Sequence, residues 1–418
     1  MARVEVAVIG AGAAGLAAAA MLRAAGARTL LIEARDRIGG RAHTDLTMPE
    51  APFDRGASYI HAADQGNPWL DIALAHRTCL LRDPRRRTIL RAGRPVARGP
   101  YEASIASAWQ RLASAGPGTS AGAVLPARTA ADHYARALVG PWLSGADADA
   151  IDAADFAAAR DGEDWLVPAG YGRLVEAFGA GLPVRLGCPV TVIRTTASAV
   201  EIETPAGTLQ ADQAIVTLPL GVLAAERVRF EPPPPRPVAA ALDALPMGNL
   251  IKLWVRLADD PFGCGDMVYA SAPPASEQAI LWLMRPFGRA ELMGFAGGTL
   301  GRTLAALSQR DLMAAVRQDL VTLGGSAVAR SLVDCALADW GADPWALGSY
   351  AVARPGAAGA RAALRAPWSE RVRYAGEAAA ADGWHGTVAG AYLSGRDAAR
   401  AVLAARRGYG LAARAVPA

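Results

Sequence analysis

Six residues near the N-terminus, Gly10-Ala-Gly-Ala-Ala-Gly15, constrain this chain more than any other feature. They follow Val4 to Ile9, an apolar run of the kind that fills a buried parallel strand. They open Leu16 to Ala25, an Ala- and Leu-rich stretch that reads as a helix ending at Gly26. Thr29 to Ile32 reads as the next strand, with Glu33 at its end. Within such a βαβ unit each glycine of G-x-G-x-x-G has its own task. Gly10 permits the tight turn, Gly12 lets backbone approach a pyrophosphate, and Gly15 lets helix and strand pack closely. The helix N-terminus offers free N–H groups and partial positive charge to phosphates. Glu33 stands where it can accept from ribose hydroxyls. A dinucleotide, FAD or NAD, is expected there, with Ala14 and Ala34 beside it.

The chain has 418 residues, too many for one ordinary core. The expected fold class is α/β: a Rossmann-type binding domain interleaved with an α+β domain. We expect residues 1–82, 163–240 and 340–418 in the first and 83–162 and 241–339 in the second. Leu81 to Gly162 reads as a helical insertion with a loop at Gly116 to Gly122. Val184 to Val216 is strand-like, with a hairpin signal at Pro205-Ala-Gly207. Pro232 to Pro235 must be extended. Lys252–Leu257 and Ala279–Met284 read as strands of a second sheet, Leu304–Leu323 as a helix, Arg373–Ala375 as a strand and Gly390–Ala405 as a closing helix. Order is expected to fray after Arg407.

The net charge of +4, with no dense basic run, argues against nucleic acid as a partner. Arg85, Arg86 and Arg87 read as a solvated loop. Lys252 is the only lysine in a chain that otherwise uses Arg. An ammonium, unlike a guanidinium, can lose its proton near neutral pH when buried, so this position invites a chemical task. Its competing reading is a half-buried Lys with its stem on apolar surface. Cys79, Cys188, Cys264 and Cys335 are scattered, with no disulfide or metal spacing. No signal peptide and no membrane span are expected, which together with free thiols suggests a cytoplasmic protein, monomeric or homodimeric.

Glu33-Ala-Arg35-Asp-Arg37-Ile-Gly39-Gly40-Arg41 resembles the second signature of flavoproteins that include amine oxidases and carotene desaturases. It favours FAD, with Arg41 near the pyrophosphate, Gly39 and Gly40 allowing close passage, and Arg35 among the cofactor-binding residues. Tyr374-Ala-Gly376-Glu377 and His385-Gly-Thr387-Val388-Ala-Gly-Ala-Tyr392 resemble the closing motif of the flavin-containing amine oxidases, near the polyamine oxidases and histone demethylase relatives. The resemblance implies that Glu377 binds the ribityl–phosphate region and that Thr387 and Val388 lie against the isoalloxazine. Asp54-Arg-Gly56-Ala57-Ser58-Tyr59-Ile-His61 resembles the polyamine oxidase segment under the flavin. Ala169-Gly-Tyr-Gly172, Val216–Leu223 and Trp340–Tyr350 resemble further family motifs, in the family's order. Val190 is expected against the cofactor as well.

By that resemblance Lys252 is the active-site lysine, whose ammonium holds a water beside the flavin. Tyr350 matches one wall of an aromatic cage for a neutral amine; the second position holds Thr387, which leaves the cage incomplete as in the polyamine branch, and Trp340 is expected as another wall. Core packing is the rival reading for each aromatic. His61 matches a cavity-lining histidine, or is structural. Ser349 stands where monoamine oxidases carry the cysteine that bonds the flavin, so FAD is expected to be non-covalent. Asp161, Glu163 and Asp164 read as a solvated loop.

The implied reaction oxidises an amine C–N bond to an imine, hydrolysed to aldehyde or ketone plus amine, while O2 becomes H2O2. Alternatives are a flavin desaturase or dehydrogenase, an L-amino-acid oxidase, or a flavin-loaded binding module. The first would not require Lys252, the second needs a cavity arginine, and no added domain supports the third.

Overall fold

A computed structural model describes residues 3–48, 51–263, 265–357 and 359–414. Two sheets organise it. In the first, Arg3–Ile9 runs parallel to Thr29–Ile32 on one side and to Gly207–Val216 on the other. Val184–Arg185 adds a parallel strand beyond Thr29–Ile32, and Val372–Tyr374 pairs with the end of Gly207–Val216. Val6 to Ile9 are buried without alternation because helices or loops cover both faces of a parallel sheet. Val200–Thr204 and Gly207–Val216 form the expected hairpin, continued by Val192–Thr195 and Arg229–Glu231.

The helices Ala13–Ala24 and Val388–Arg414 cross closely. Gly395 makes this possible: a Cβ there would lie 2.1 Å from the Ala14 carbonyl oxygen. The crossing brings the first glycine turn to the chain's last motif. The closing helix continues past Arg407 to Arg414, and residues 415–418 lie outside the described ones.

The second sheet has the order Leu332–Ala338, Ile251–Leu257, Glu291–Ala296, Leu281–Met284, Val268–Ser271, Arg86–Arg91, Arg94–Pro95. In Ile251–Leu257 the period of two sends Ile251, Leu253, Val255 and Leu257 into one core, with Leu312, Val316 and Leu320 of a helix behind the sheet. Lys252 and Trp254 therefore face the other way, and the Trp254 ring packs tilted against Phe53 with centroids 4.8 Å apart.

Three expectations change here. The segment after Leu81 is not purely helical, and Arg86–Arg91 is a strand parallel to Val268–Ser271. Ile89 and Leu90 in it are buried, a pull the flanking arginines masked in the sequence. The stretch Leu304–Leu323 divides into Gly298–Ala305 and Gln309–Gly324, because the Ser308 side chain caps the second helix by accepting from Asp311 N. The Gly116–Gly122 loop gives way at Ala121 to a short helix, Ala121–Val124, capped by Ser120. Among the described residues no helix is long and apolar enough to cross a membrane.

Candidate active site

One cavity of about 810 Å³ runs between the two sheets and the insert helices. At one end lies the first glycine turn. Gly10 adopts φ +102°, a conformation side chains resist. Gly15 is the one expected cofactor residue that does not line the cavity; a Cβ on it would sit 1.9 Å from the Gly10 carbonyl oxygen. It shapes the turn from behind. A Cβ on Gly12 would meet nothing nearer than Gly40 Cα at 3.9 Å, so it would protrude into the cavity where backbone now stands open. Glu33 is buried and accepts from Ala11 N at 2.7 Å and Arg35 N at 2.9 Å. Each carboxylate oxygen keeps a lone pair for a further donor. Ala14, Ala34 and Val190 line the same end. Arg35 pairs with Asp343 at 2.6 Å and lies over the Trp340 ring.

Midway, Arg41 Nη1 donates to Glu377 at 3.1 Å and to the Ser349 carbonyl at 2.7 Å. The two residues expected at the phosphate and ribityl region thus meet across 336 positions of sequence. Ser349 Oγ donates to Gly248 O and accepts from Leu250 N, so its oxygen is spent on the backbone. Thr387 Oγ1 accepts from Gly390 N at 2.9 Å and donates to Trp384 O, capping the closing helix. The N-terminus of that helix, with Val388, opens onto the cavity beside Gly376.

Lys252 reaches the same space from the second sheet and is only 5% exposed. Nζ donates to Asp54 O at 3.1 Å, to Gly56 O and to Ser58 Oγ, and lies 5.8 Å from the Phe295 ring centre. Burial lowers its pKa to about 8, against the opposing pull of Asp54. Asp54 is held by Thr44 Oγ1 and by the amides of Tyr171 and Gly172, at the start of the helix Tyr171–Gly179. The Gly-Tyr-Gly turn therefore fixes the segment that receives the lysine. Gly56 lets this segment run close against Arg41, since a Cβ would lie 1.7 Å from Arg41 O. Ala57 lines the wall as well.

The other walls are mixed. Tyr350 lines the cavity and donates to Leu143 O at 2.6 Å, and a Cβ on Gly386 would touch its ring at 3.8 Å. Trp340 lines the side near Arg35 and Gly56, its indole N–H on Arg55 O. His61 Nδ1 lies 3.0 Å from Asp164, and since a carboxylate only accepts, Nδ1 carries a proton in this bond. Asp164 does not belong to a solvated loop. Its side chain is 17% exposed and pairs with Arg85 at 2.8 Å. Burial works to raise its pKa, but His61 and Arg85 hold it down to about 2.

Sequence reasoning named Tyr59 but missed Tyr269, Asp83, Arg361 and Asp155 as lining residues. Tyr59 Oη lies 2.9 Å from Tyr269 Oη, which donates to buried Asp83 at 2.7 Å. Arg361, also buried, clamps Asp155 through two bonds of 2.7 and 2.8 Å, beside His385. No local signal marks these pairs, because each joins residues some 200 positions apart.

The free lone pairs of Glu33, the open cradle at Gly12, the Arg41–Glu377 junction and the helix start at Thr387–Val388 follow one continuous cavity. That order suits adenosine ribose, pyrophosphate, ribityl chain and flavin in turn, so the residues fit FAD.

The fold and this cavity define a flavin-dependent oxidoreductase of the two-sheet, Rossmann-containing class. Residues 8–74 match the NAD(P)-binding Rossmann-like domain, and residues 95–403 match the flavin containing amine oxidoreductases. The chain belongs to that family and is an FAD-dependent amine oxidoreductase. It is 29% identical to polyamine oxidase 4 of Oryza sativa subsp. japonica, over 94% of this chain and 88% of that one. It is 28% identical to lysine-specific histone demethylase 1 homolog 2 of Arabidopsis thaliana, over 96% of this chain and 58% of that one. Among solved structures, putrescine oxidase bound to putrescine superposes with a TM-score of 0.78 at 21% identity, over 96% of this chain and 99% of that one. Cyclohexylamine oxidase from Brevibacterium oxydans does so with 0.78 at 24%, over 97% and 99%.

Proposed function

We propose that this chain is an oxidase of small amines, polyamine- or monoamine-like, that yields an imine and, with O2 as acceptor, hydrogen peroxide. FAD, when held by these residues, would supply the redox chemistry: acceptance of a hydride equivalent from the carbon next to the amine nitrogen and delivery of the electrons to O2. The observation that carries the reading is Lys252, the chain's only lysine, facing the cavity from the second sheet.

Each of the chain's residues has a defined share. Glu33, Arg35, Arg41 and Glu377, with the backbone at Gly10, Gly12, Gly40, Gly56 and Gly376, hold and orient the cofactor without a covalent bond. The helix start at Thr387 and Val388 offers partial positive charge to the flavin edge. Tyr350, Trp340 and the Thr387 side exclude water and orient the substrate. Lys252, near its titration point at neutral pH, holds or releases a proton at Nζ. His61, tied through Nδ1 to Asp164, binds the substrate amine or a water through its other ring nitrogen. The imine then reacts with water to give an aldehyde or ketone and an amine. Residues 83–162 and 241–339 form the substrate side of the enzyme, and 1–82, 163–240 and 340–418 the cofactor side.

An ammonium cannot release a hydride, so the substrate must lose its proton first and activity rises with pH through the bound amine's pKa. The test is bleaching of the yellow protein by a panel of polyamines, aryl-alkylamines and amino acids under nitrogen, followed by peroxide release in air. Bleaching by amines and peroxide on aeration are expected. No bleaching by any amine, or a pH-independent rate between mildly acid and mildly alkaline buffer, would overturn the reading. Acid precipitation is expected to leave a colourless pellet and yellow supernatant.

A further inference from the structure

We propose that Ser58 is a positioning residue that governs the protonation of Lys252, its hydroxyl accepting from the ammonium and donating to the neutral amine. The inference rests on the reading that Lys252 works beside the flavin.

An ammonium has three N–H bonds and no lone pair, whereas a neutral amine has two N–H bonds and one lone pair. The three partners of Nζ match this difference. Asp54 O and Gly56 O are carbonyls and can only accept. Ser58 Oγ is the one partner that can do either. With Lys252 charged, all three accept. With Lys252 neutral, the two carbonyls keep their N–H bonds and the Ser58 hydroxyl turns its proton onto the Nζ lone pair. The amine therefore stays triply bonded in both states, inside a region where an unpaired polar group is costly. Ser58 is itself buried and lines the cavity.

Other ionisable groups do not supply the same control. On the segment that meets Nζ stand Asp54, Arg55 and Tyr59. On the flanking strands stand Glu291 and Asp334, both opposite Arg256, away from Lys252. Arg55 pairs with Asp45, and Tyr59 lies against Tyr269. Asp54 alone acts on Nζ, by raising its pKa. A fixed charge sets a level, and Ser58 is what lets the amine cross it without losing a partner.

The single lysine makes the test direct. Lysine labelled with 13C at Cε gives one side-chain resonance in the FAD-loaded protein, and its shift titrates with Nζ. In wild type it should titrate near 8. Ser58→Ala removes an acceptor from the ammonium and a donor from the neutral amine; the charge-assisted bond is the stronger of the two, so the midpoint should fall, by up to about one pH unit. Ser58→Thr keeps the hydroxyl and should restore it. A merely structural role moves stability but not this midpoint. If Ser58→Ala does not accumulate as yellow protein, Ser58→Cys, a weak partner of similar size, is read the same way. Coincident titration of the variant and wild type overturns the proposal. Unimpaired turnover of Lys252→Met instead sinks the role of Lys252 at the flavin, and leaves the titration result standing.

Discussion

Lys252 Nζ lies 3.1 Å from the carbonyl oxygen of Asp54, joining the second sheet to the segment that follows the cofactor signature. Replacing it with Met keeps the stem but strips a donor from Asp54 O, Gly56 O and Ser58 Oγ. We expect Lys252→Met to fold with FAD, to bleach with amine under nitrogen at a rate changed less than its reoxidation, and to react with O2 about 10²-fold more slowly. Stopped-flow measurement of the two half-reactions decides it. Equal loss in both would mark Lys252 as structural.

The same burial makes stability depend on pH. Folded Lys252 titrates near 8 and the unfolded residue near 10.5. Between these values the unfolded chain holds one more proton than the folded one, so stability rises with pH. Below about 8 both states are charged and the burial cost is felt in full. Relative to Lys252→Met, wild type should gain on the order of 3 kcal/mol between pH 8 and 10.5. Denaturant midpoints across that range measure it, and a constant difference between the proteins would contradict the lowered pKa.

Gly15→Ala places a methyl group 1.9 Å from the Gly10 carbonyl, which must displace the turn. The expected result is protein purified without its yellow chromophore, read as the ratio of visible to ultraviolet absorbance. Gly99→Ala meets nothing within 4 Å and is the control that should retain it.

Arg361 and Asp155 tie the insert helix Ala153–Ala157 to the helix Ala360–Arg365. Removing one partner of a buried pair leaves the other charge uncompensated, so Arg361→Met should cost about 3–5 kcal/mol in denaturant unfolding. Adding Asp155→Leu should recover part of this loss. A single-variant cost below about 1 kcal/mol, the range of surface pairs, would refute the clamp.

The βαβ start was legible because its strands, turn and helix are neighbours in the chain, and their periodicity and glycine spacing are local. Gly376–Glu377 and Thr387–Val388 were legible only through likeness to a family, since nothing local says that they face Gly10. The strand Arg86–Arg91 was misread because its arginines outweigh its short apolar run until Val268–Ser271 pairs with it. Asp164 was misread for a related reason: an acid beside Asp161 and Glu163 looks solvated until Arg85 and His61 arrive from elsewhere in the chain.

The amino-acid sequence alone determined that this protein has a dinucleotide turn, that it carries one lysine, and which family its motifs follow. Tertiary structure decided which partners that lysine meets, how far its proton is loosened, and which charges close the cavity. Those properties depend on burial and on bonds between residues that the chain keeps far apart, and only folding sets them.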